Sequence, residues 1–133
     1  MRRSDCPIAN ALDHFGDRWT LLIIRDLALF GKQSYSSLQQ SAEQIATNIL
    51  SSRLSSLEKS GIIIRKPDPS DGRRNIYRLT EAGKDLLPVL IEMLLWSEKY
   101  STEKLAIPDD FLEMAKQDKQ ALIELLRQRI DNF

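Results

Sequence analysis

The hydrophobic period of this chain changes twice, at Gly61 and at Thr80, and those two changes constrain its fold more than any other feature. Before Gly61 the apolar residues Ile49, Leu50, Leu54 and Leu57 recur at helical spacing. Directly after it, Ile62-Ile63-Ile64-Arg65-Lys66 is short and β-branched, which reads as a strand over residues 62–66. Pro67-Asp68-Pro69-Ser70-Asp71-Gly72 is dense in turn residues, and Ile76-Tyr77-Arg78-Leu79 alternates as a return strand. The two strands predict a β-hairpin with a long basic tip carrying Arg73 and Arg74. From Thr80 the helical period returns.

Around the hairpin the chain reads as helices. Asp5 is placed to cap a first helix over residues 6–15, with Pro7 in its first turn and Ile8, Ala11, Leu12 and Phe15 as its apolar stripe. Gly16 breaks it. Asp17, a cap rather than a catalytic acid, opens a second helix over residues 18–29, which Gly31 ends. Two shorter helices follow, over residues 35–42 and 47–60. Beyond the hairpin, a helix from Thr80 to the region of Ser97 or Tyr100 is bent by Pro88, and a last helix runs over residues 108–130. His14 reads as a helix-surface or capping residue, and Trp19 and Trp96 as core or interface.

The net charge is zero, but its halves differ. Residues 1–79 hold 12 Lys and Arg against 8 Asp and Glu; residues 80–133 hold 7 against 11. Phosphates would attract the first half and be repelled by the second. No apolar run reaches the length of a membrane span, and no apolar segment follows the charged Met1-Arg2-Arg3-Ser4-Asp5, so a cytoplasmic location without membrane contact is expected. One cysteine, Cys6, and one histidine exclude an internal disulfide and a cysteine-based zinc site. There is no Ser/His/Asp set and no glycine-rich phosphate loop. The chain therefore reads as a non-enzyme with no catalytic residue, metal or cofactor.

Helix, helix, short helix, helix and hairpin in succession form the layout of a winged helix-turn-helix. The expected class is mainly α with a small β-hairpin, with extra N- and C-terminal dimerisation helices. Residues 1–80 would form the DNA-binding region with its N-terminal helix, and residues 81–133 a helical dimerisation arm, in one compact domain. In such proteins the second helix of the pair lies in the major groove. Here its polar face offers Thr47, Asn48, Ser51, Ser52 and Ser55, with Arg53 nearby. Asn and Arg bond base edges bidentately, and Ser and Thr bond bases or phosphates. An ordinary solvated helix face accounts for those residues equally well on its own. The hairpin with adjacent Arg73 and Arg74, suited to a narrow minor groove or its phosphates, tips the reading toward DNA.

The sequence also resembles the HxlR-type regulators of the MarR-like group. Cys6-Pro7-Ile8, Gly16-Asp17-Arg18-Trp19-Thr20-Leu21-Leu22-Ile23, Ile45 through Leu54, Leu57-Glu58, Gly61-Ile62, Tyr77-Arg78-Leu79-Thr80, Gly83, Leu87-Pro88 and Trp96 carry the resemblance over roughly residues 6–97. It implies a homodimeric transcription factor that binds a double-stranded operator of approximate two-fold symmetry. DNA contacts would fall on Thr47, Asn48, Ser51, Ser52 and Ser55 and on Arg73 and Arg74, with Ser36 and Gln39 added from the short helix. Two positions depart from the family pattern. Ala46 stands where a small hydroxyl cap is usual, so that Thr47 could cap instead and be withdrawn from base contact. The wing, Asp71-Gly72-Arg73-Arg74, lacks the usual proline before the tyrosine and looks more like MarR-type wings.

In some HxlR-like regulators a cysteine at the position of Cys6 senses oxidants or electrophiles. Helix N–H groups, with Arg2 and Arg3, would favour the thiolate there. The plain alternative is a buried small hydrophobe. The helix after the hairpin is apolar almost all round, so a partner subunit is expected to cover it. The expected dimer residues are Ile8, Leu12, Leu90, Leu94, Trp96, Leu122 and Leu126. Two other readings stay open: a ligand-responsive MarR-like regulator with its pocket at the dimer helices, and a winged helix that contacts protein instead of DNA.

Overall fold

A computed structural model describes residues 4–133. In chain order the elements are α1 (Pro7–Phe15), α2 (Thr20–Leu29), α3 (Tyr35–Gln39), α4 (Thr47–Lys59), β1 (Ile63–Asp68), β2 (Asp71–Leu79), α5 (Glu81–Lys84), α6 (Leu87–Tyr100), α7 (Asp109–Gln117) and α8 (Lys119–Asp131). The fold is mainly helical with one antiparallel hairpin, as the changes of period predict. Its core gathers around α2, where Ile23, Ile24, Leu27 and Ala28 are buried against β2, α6 and α8. Leu38 of α3, Leu50, Leu54 and Leu57 of α4, and Ile63 and Leu79 of the hairpin close the same core.

Local chemistry sets the element ends. Asp17 caps α2 by accepting hydrogen bonds from the N–H groups of Trp19 and Thr20 at 3.0 and 3.1 Å. Ser34 and Ser37 form a reciprocal capping box at the start of α3. Gly31 and Gly61 follow α2 and α4 with φ of +63° and +75°, a backbone region that costs glycine nothing. Thr80 caps α5 while its hydroxyl donates to the Gly61 and Ile62 carbonyls, tying the exit of the hairpin to its entrance. Gly83 lies so close to this junction that a Cβ there would stand 2.4 Å from the Ile62 carbonyl oxygen.

Several sequence expectations need correction. Cys6, not Asp5, is the N-cap of α1, and no side chain caps that helix. Helix α3 ends at Gln39, not at residue 42. The Ser41 hydroxyl bonds the Leu38 carbonyl and the Asp26 carboxylate, which competes with further helix. The hairpin is longer and its tip shorter than expected. Pairing runs from Ile63 with Leu79 to Pro67 with Asn75, passes a bulge, and ends at Asp68 with Asp71 around the two-residue turn Pro69-Ser70. Arg73 and Arg74 therefore sit within β2 near its tip, at the bulge where residues 72–74 have no partner on β1. Pro88 bends no continuous helix; it lies in the first turn of α6, after the separate single turn α5. The last helix is two, because Asp118 stops α7 and caps α8 through the Ala121 N–H.

Leu122 and Leu126, expected at a dimer interface, are each 1% exposed inside the subunit. The apolar stripe of α8 turns inward onto α2 and α6. Ion pairs of Lys84 with Asp131, and of Arg127 with Glu81 and Asp85, hold α8 to α5. The Arg78 guanidinium donates to the Phe133 and Ile130 carbonyls at the end of α8, where a cation suits the helix dipole.

One polar network runs through the core. Asp26, 2% exposed, accepts from Ser41 and from Nε and Nη2 of Arg25. The same guanidinium donates to both carboxylate oxygens of Glu43, at 2.8 Å each. These bonds clamp the connection between α3 and α4 to α2. The Arg25 hydrogen bonds outweigh partial burial and hold Glu43 at about 2, against an ordinary 4.5. Folding favours the charged form, so this stabilisation is complete above the unfolded value and is lost as the pH falls through 4.5 toward 2. Urea denaturation across that range should show a smaller acid-induced loss of stability in Glu43→Gln than in the wild type. Gly83→Ala, forced against a backbone carbonyl, should lose about 1–3 kcal/mol in the same assay at neutral pH.

Candidate nucleic-acid interface

Helix α4 buries Leu50, Leu54 and Leu57 and turns its other side to solvent. Its residues alternate between the two sides at helical spacing, so Thr47, Asn48, Ser51, Ser52 and Ser55 are all exposed. Ala46 occupies the N-cap without a side-chain bond, and Thr47 is the first helical residue. The Thr47 hydroxyl is thus not used as a cap. The first turn of α4 consequently presents unpaired N–H groups beside two polar side chains, a favourable setting for a phosphate.

Tyr35 fixes α3 on α4. Its hydroxyl donates to the Thr47 carbonyl at 3.0 Å and lies 2.9 Å from the Ser51 hydroxyl. Its ring packs against the core, but its oxygen reaches the polar face of α4, and an apolar periodicity carries no sign of that. Ser36 and Gln39 are exposed on α3. A groove of about 370 Å³ separates α4 from the hairpin, with Ser51, Ser55, Lys59 and Arg65 along it. Lys59 and Arg65 add two cations to this side that the sequence reading did not single out, with Arg65 Nε 3.7 Å from the Glu58 carboxylate in the same groove.

The other arginines are less free than their positions in the sequence imply. Arg53 is half-buried, and its Nε donates to Asp17 at 2.9 Å, so it links α4 to the cap of α2. Burial would raise the Asp17 pKa, but the Thr20 hydroxyl, Arg53 and two backbone N–H groups outweigh it and hold the carboxyl below its ordinary value. On the hairpin, Arg73 Nε pairs with Asp71 at 3.1 Å and Arg74 Nη2 with Asp68 at 2.8 Å. Asp68 also accepts the Ser70 N–H and hydroxyl, which lower its pKa ahead of Arg74. Both arginine side chains remain largely exposed, at 91% and 57%. Arg73 can therefore exchange its carboxylate for a phosphate readily, whereas Arg74 would leave the buried Asp68 carboxylate to its Ser70 hydrogen bonds.

Cys6 is exposed at the head of α1, not a buried hydrophobe. Its N–H donates to the Ser4 hydroxyl, and its carbonyl accepts from Asn10. Arg2 and Arg3, expected to favour its thiolate, lie outside the described residues. No residue of α1 is buried, and Ile8 is 72% exposed. On α6, Met93, Trp96 and Tyr100 are also exposed, Leu90 is half-buried against the core, and half-buried Leu94 lines a cavity shared with Phe111 and Leu29. His14 lies on the surface, with Nδ1 3.4 Å from the Ser60 hydroxyl. Among the described residues no helix is long and apolar enough to cross a membrane.

This architecture and its sequence have known counterparts. The family model described as HxlR-like helix-turn-helix matches residues 14–105. An uncharacterised HTH-type transcriptional regulator of Mycobacterium tuberculosis is 41% identical over 93 residues, which cover 70% of this chain and 58% of that protein. Among solved structures, PA1607, a candidate transcription factor, superposes with a TM-score of 0.72 at 34% identity, over 80% of this chain and 74% of that one. The reduced form of the transcriptional regulator YodB from Bacillus subtilis gives 0.60 at 30% identity, over 74% and 97%. YodB has also been solved after diamide treatment and with a quinone bound. With most of its length matched by the family model and its fold shared with these winged-helix proteins, the chain belongs to the HxlR-like helix-turn-helix family.

Proposed function

We propose that the protein is a homodimeric transcriptional regulator that binds double-stranded DNA in a sequence-specific way through α4 and the hairpin. The observation that carries this reading is the face of α4. Five exposed residues there, Thr47, Asn48, Ser51, Ser52 and Ser55, are short hydrogen-bonding groups, with no bulky side chain to keep the helix out of a major groove. Ser36 and Gln39 reach the flanking backbone, and Arg73 and Arg74 the neighbouring minor groove or its phosphates. Arg53 serves mainly to hold α4 on α2.

Dimerisation follows from α1. A nine-residue helix is too short to be stable alone in water, yet this one buries none of its residues within the subunit. A second copy would cover Ile8 and Leu12 together with Trp96 and its exposed neighbours on α6. A two-fold dimer would present two copies of α4 about 34 Å apart, one turn of DNA, and so read a palindrome-like site. Residues 81–133 then divide their work: α6 faces the partner, and α8 completes the subunit core.

Cys6 heads the helix on which that dimer depends, and YodB, a relative treated with diamide and crystallised with quinone, supplies the precedent for its chemistry. Two Cys6 thiols, one from each subunit, would give two electrons and two protons to diamide and join as a disulfide. A quinone would instead add the thiol directly. Either product changes the seat of α1 and with it the spacing of the two α4 helices.

The double variant Arg73→Ala/Arg74→Ala should bind a selected operator more weakly. The salt slope of its affinity should shrink by about 0.9 for each lost phosphate contact, counted over both wings. A slope equal to wild type would remove the wing from the interface. Cys6→Ser should keep the DNA affinity of the reduced protein and lose its response to diamide and quinone, measured by fluorescence anisotropy.

A further inference from the structure

Tyr35 and Ser51 meet on the side of α4 that opens into the groove toward the hairpin. Each hydroxyl carries one proton, and each oxygen can also accept. The Thr47 carbonyl, 3.0 Å from the tyrosine oxygen, can only accept. Only one arrangement of protons makes both contacts hydrogen bonds: Tyr35 donates to Thr47, and Ser51 donates to Tyr35 across 2.9 Å. The Ser51 proton is thereby spent inside the protein. What the exposed serine has left for a ligand is its oxygen lone pairs.

The arrangement is held from behind. The Tyr35 ring packs against the core, and the capping box of Ser34 and Ser37 fixes the start of α3, which carries it. Ser52, the next residue on the same exposed face, is set up differently. Its oxygen accepts from Arg53 Nη1 at 3.3 Å, and among the described residues its own proton has no acceptor. Two adjacent serines, equal in the sequence, thus differ in what they offer.

In the major groove the hydrogen-bond donors are amino groups, N6 of adenine and N4 of cytosine, whereas guanine and thymine present the keto oxygens O6 and O4. A hydroxyl that can only accept bonds an amino group and meets a keto oxygen lone pair to lone pair. We propose that Ser51 reads an amino base, adenine or cytosine, on the strand it faces, and that Tyr35 is the positioning residue that sets this preference by holding the Ser51 proton. Ser51 does so as part of the DNA interface proposed above, on which this assignment rests. To donate to guanine or thymine, Ser51 would have to give up its bond to Tyr35.

Duplexes selected from a random pool by the full-length wild type, Tyr35→Phe, Ser51→Ala and the double variant test this. The position read by Ser51 is the one whose base preference disappears in Ser51→Ala. There the wild type should favour adenine and cytosine over guanine and thymine on one strand. Tyr35→Phe keeps the ring and frees the serine proton, and should lower that ratio by about threefold or more while preferences elsewhere in the site persist. In the Ser51→Ala background the same change should alter no base preference. A tyrosine hydroxyl that only braced α3 on α4 would instead weaken all sites alike. A keto base at that position in the wild type, an unchanged ratio in Tyr35→Phe, or a Ser51→Ala variant with every preference intact would each overturn the proposal and leave DNA binding standing. A wild type that enriches no sequence would overturn the DNA-binding function itself, and this assignment with it. Circular dichroism of the variants checks that their folds are intact.

Discussion

Everything in this subunit is referred to α2 and to the carboxylate buried on it. The Asp26 carboxyl can be buried in the core because Ser41 and Arg25 satisfy its oxygens; a buried polar group left without partners is costly. The partners that satisfy it are not neutral fillers. Ser41 terminates α3, and Arg25 reaches on to Glu43 just ahead of Gln44, whose φ of 59° turns the chain into α4. The polar requirement of one buried residue thus sets the geometry of the helix-turn-helix. Apolar packing could hold α4 at several angles, whereas bonds with fixed lengths and directions select one.

The same economy appears at the surface that would meet DNA. The basic residues there are partnered in the free protein: Arg53 by Asp17, Arg73 by Asp71, Arg74 by Asp68. Half-buried Arg53 is structural, because releasing it would also remove a bond from the α2 cap. The two wing pairs leave both guanidinium groups largely exposed, although Asp68, the partner of Arg74, is itself buried. They keep the guanidinium groups ordered near the hairpin without withholding them from phosphate. A chain of zero net charge can in this way present a cationic wing, since 11 of its 19 acids lie beyond the hairpin, after Leu79.

The order of elements was legible in the sequence because each depends on neighbours in the chain. Asp17 and Thr80 stand as caps, Gly31 and Gly61 supply the left-handed backbone that ends α2 and α4, and the β-branched run after Gly61 pairs with the alternating one before Thr80. The polar face of α4 was legible for the same reason. Errors clustered where a local rule met a competing partner. Pro88 was read as a bend, but after Asp85 and Leu86 it starts a helix. The tip of the hairpin reads as long, but Asp68 and Ser70 close its turn in two residues. Ser41 ended α3 early through a bond to a residue 15 positions back.

Periodicity and turn chemistry alone therefore determined that this is a helix-turn-helix followed by a wing, which side of α4 is polar, and that one cysteine heads the first helix. Tertiary structure alone decided which way the amphipathic helices face and which charges are free. Leu122 and Leu126 look the same in sequence whether they cover α2 or a partner, and only packing shows that they cover α2. Arg53 and Arg73 are both arginines beside serine or glycine, yet one is bound to an acid 36 residues away and the other to an acid on its own strand. Long-range partners leave no period in the sequence, and for that reason the clamp on Asp26, the bond between Tyr35 and Ser51 and the inward turn of α8 became visible only in three dimensions.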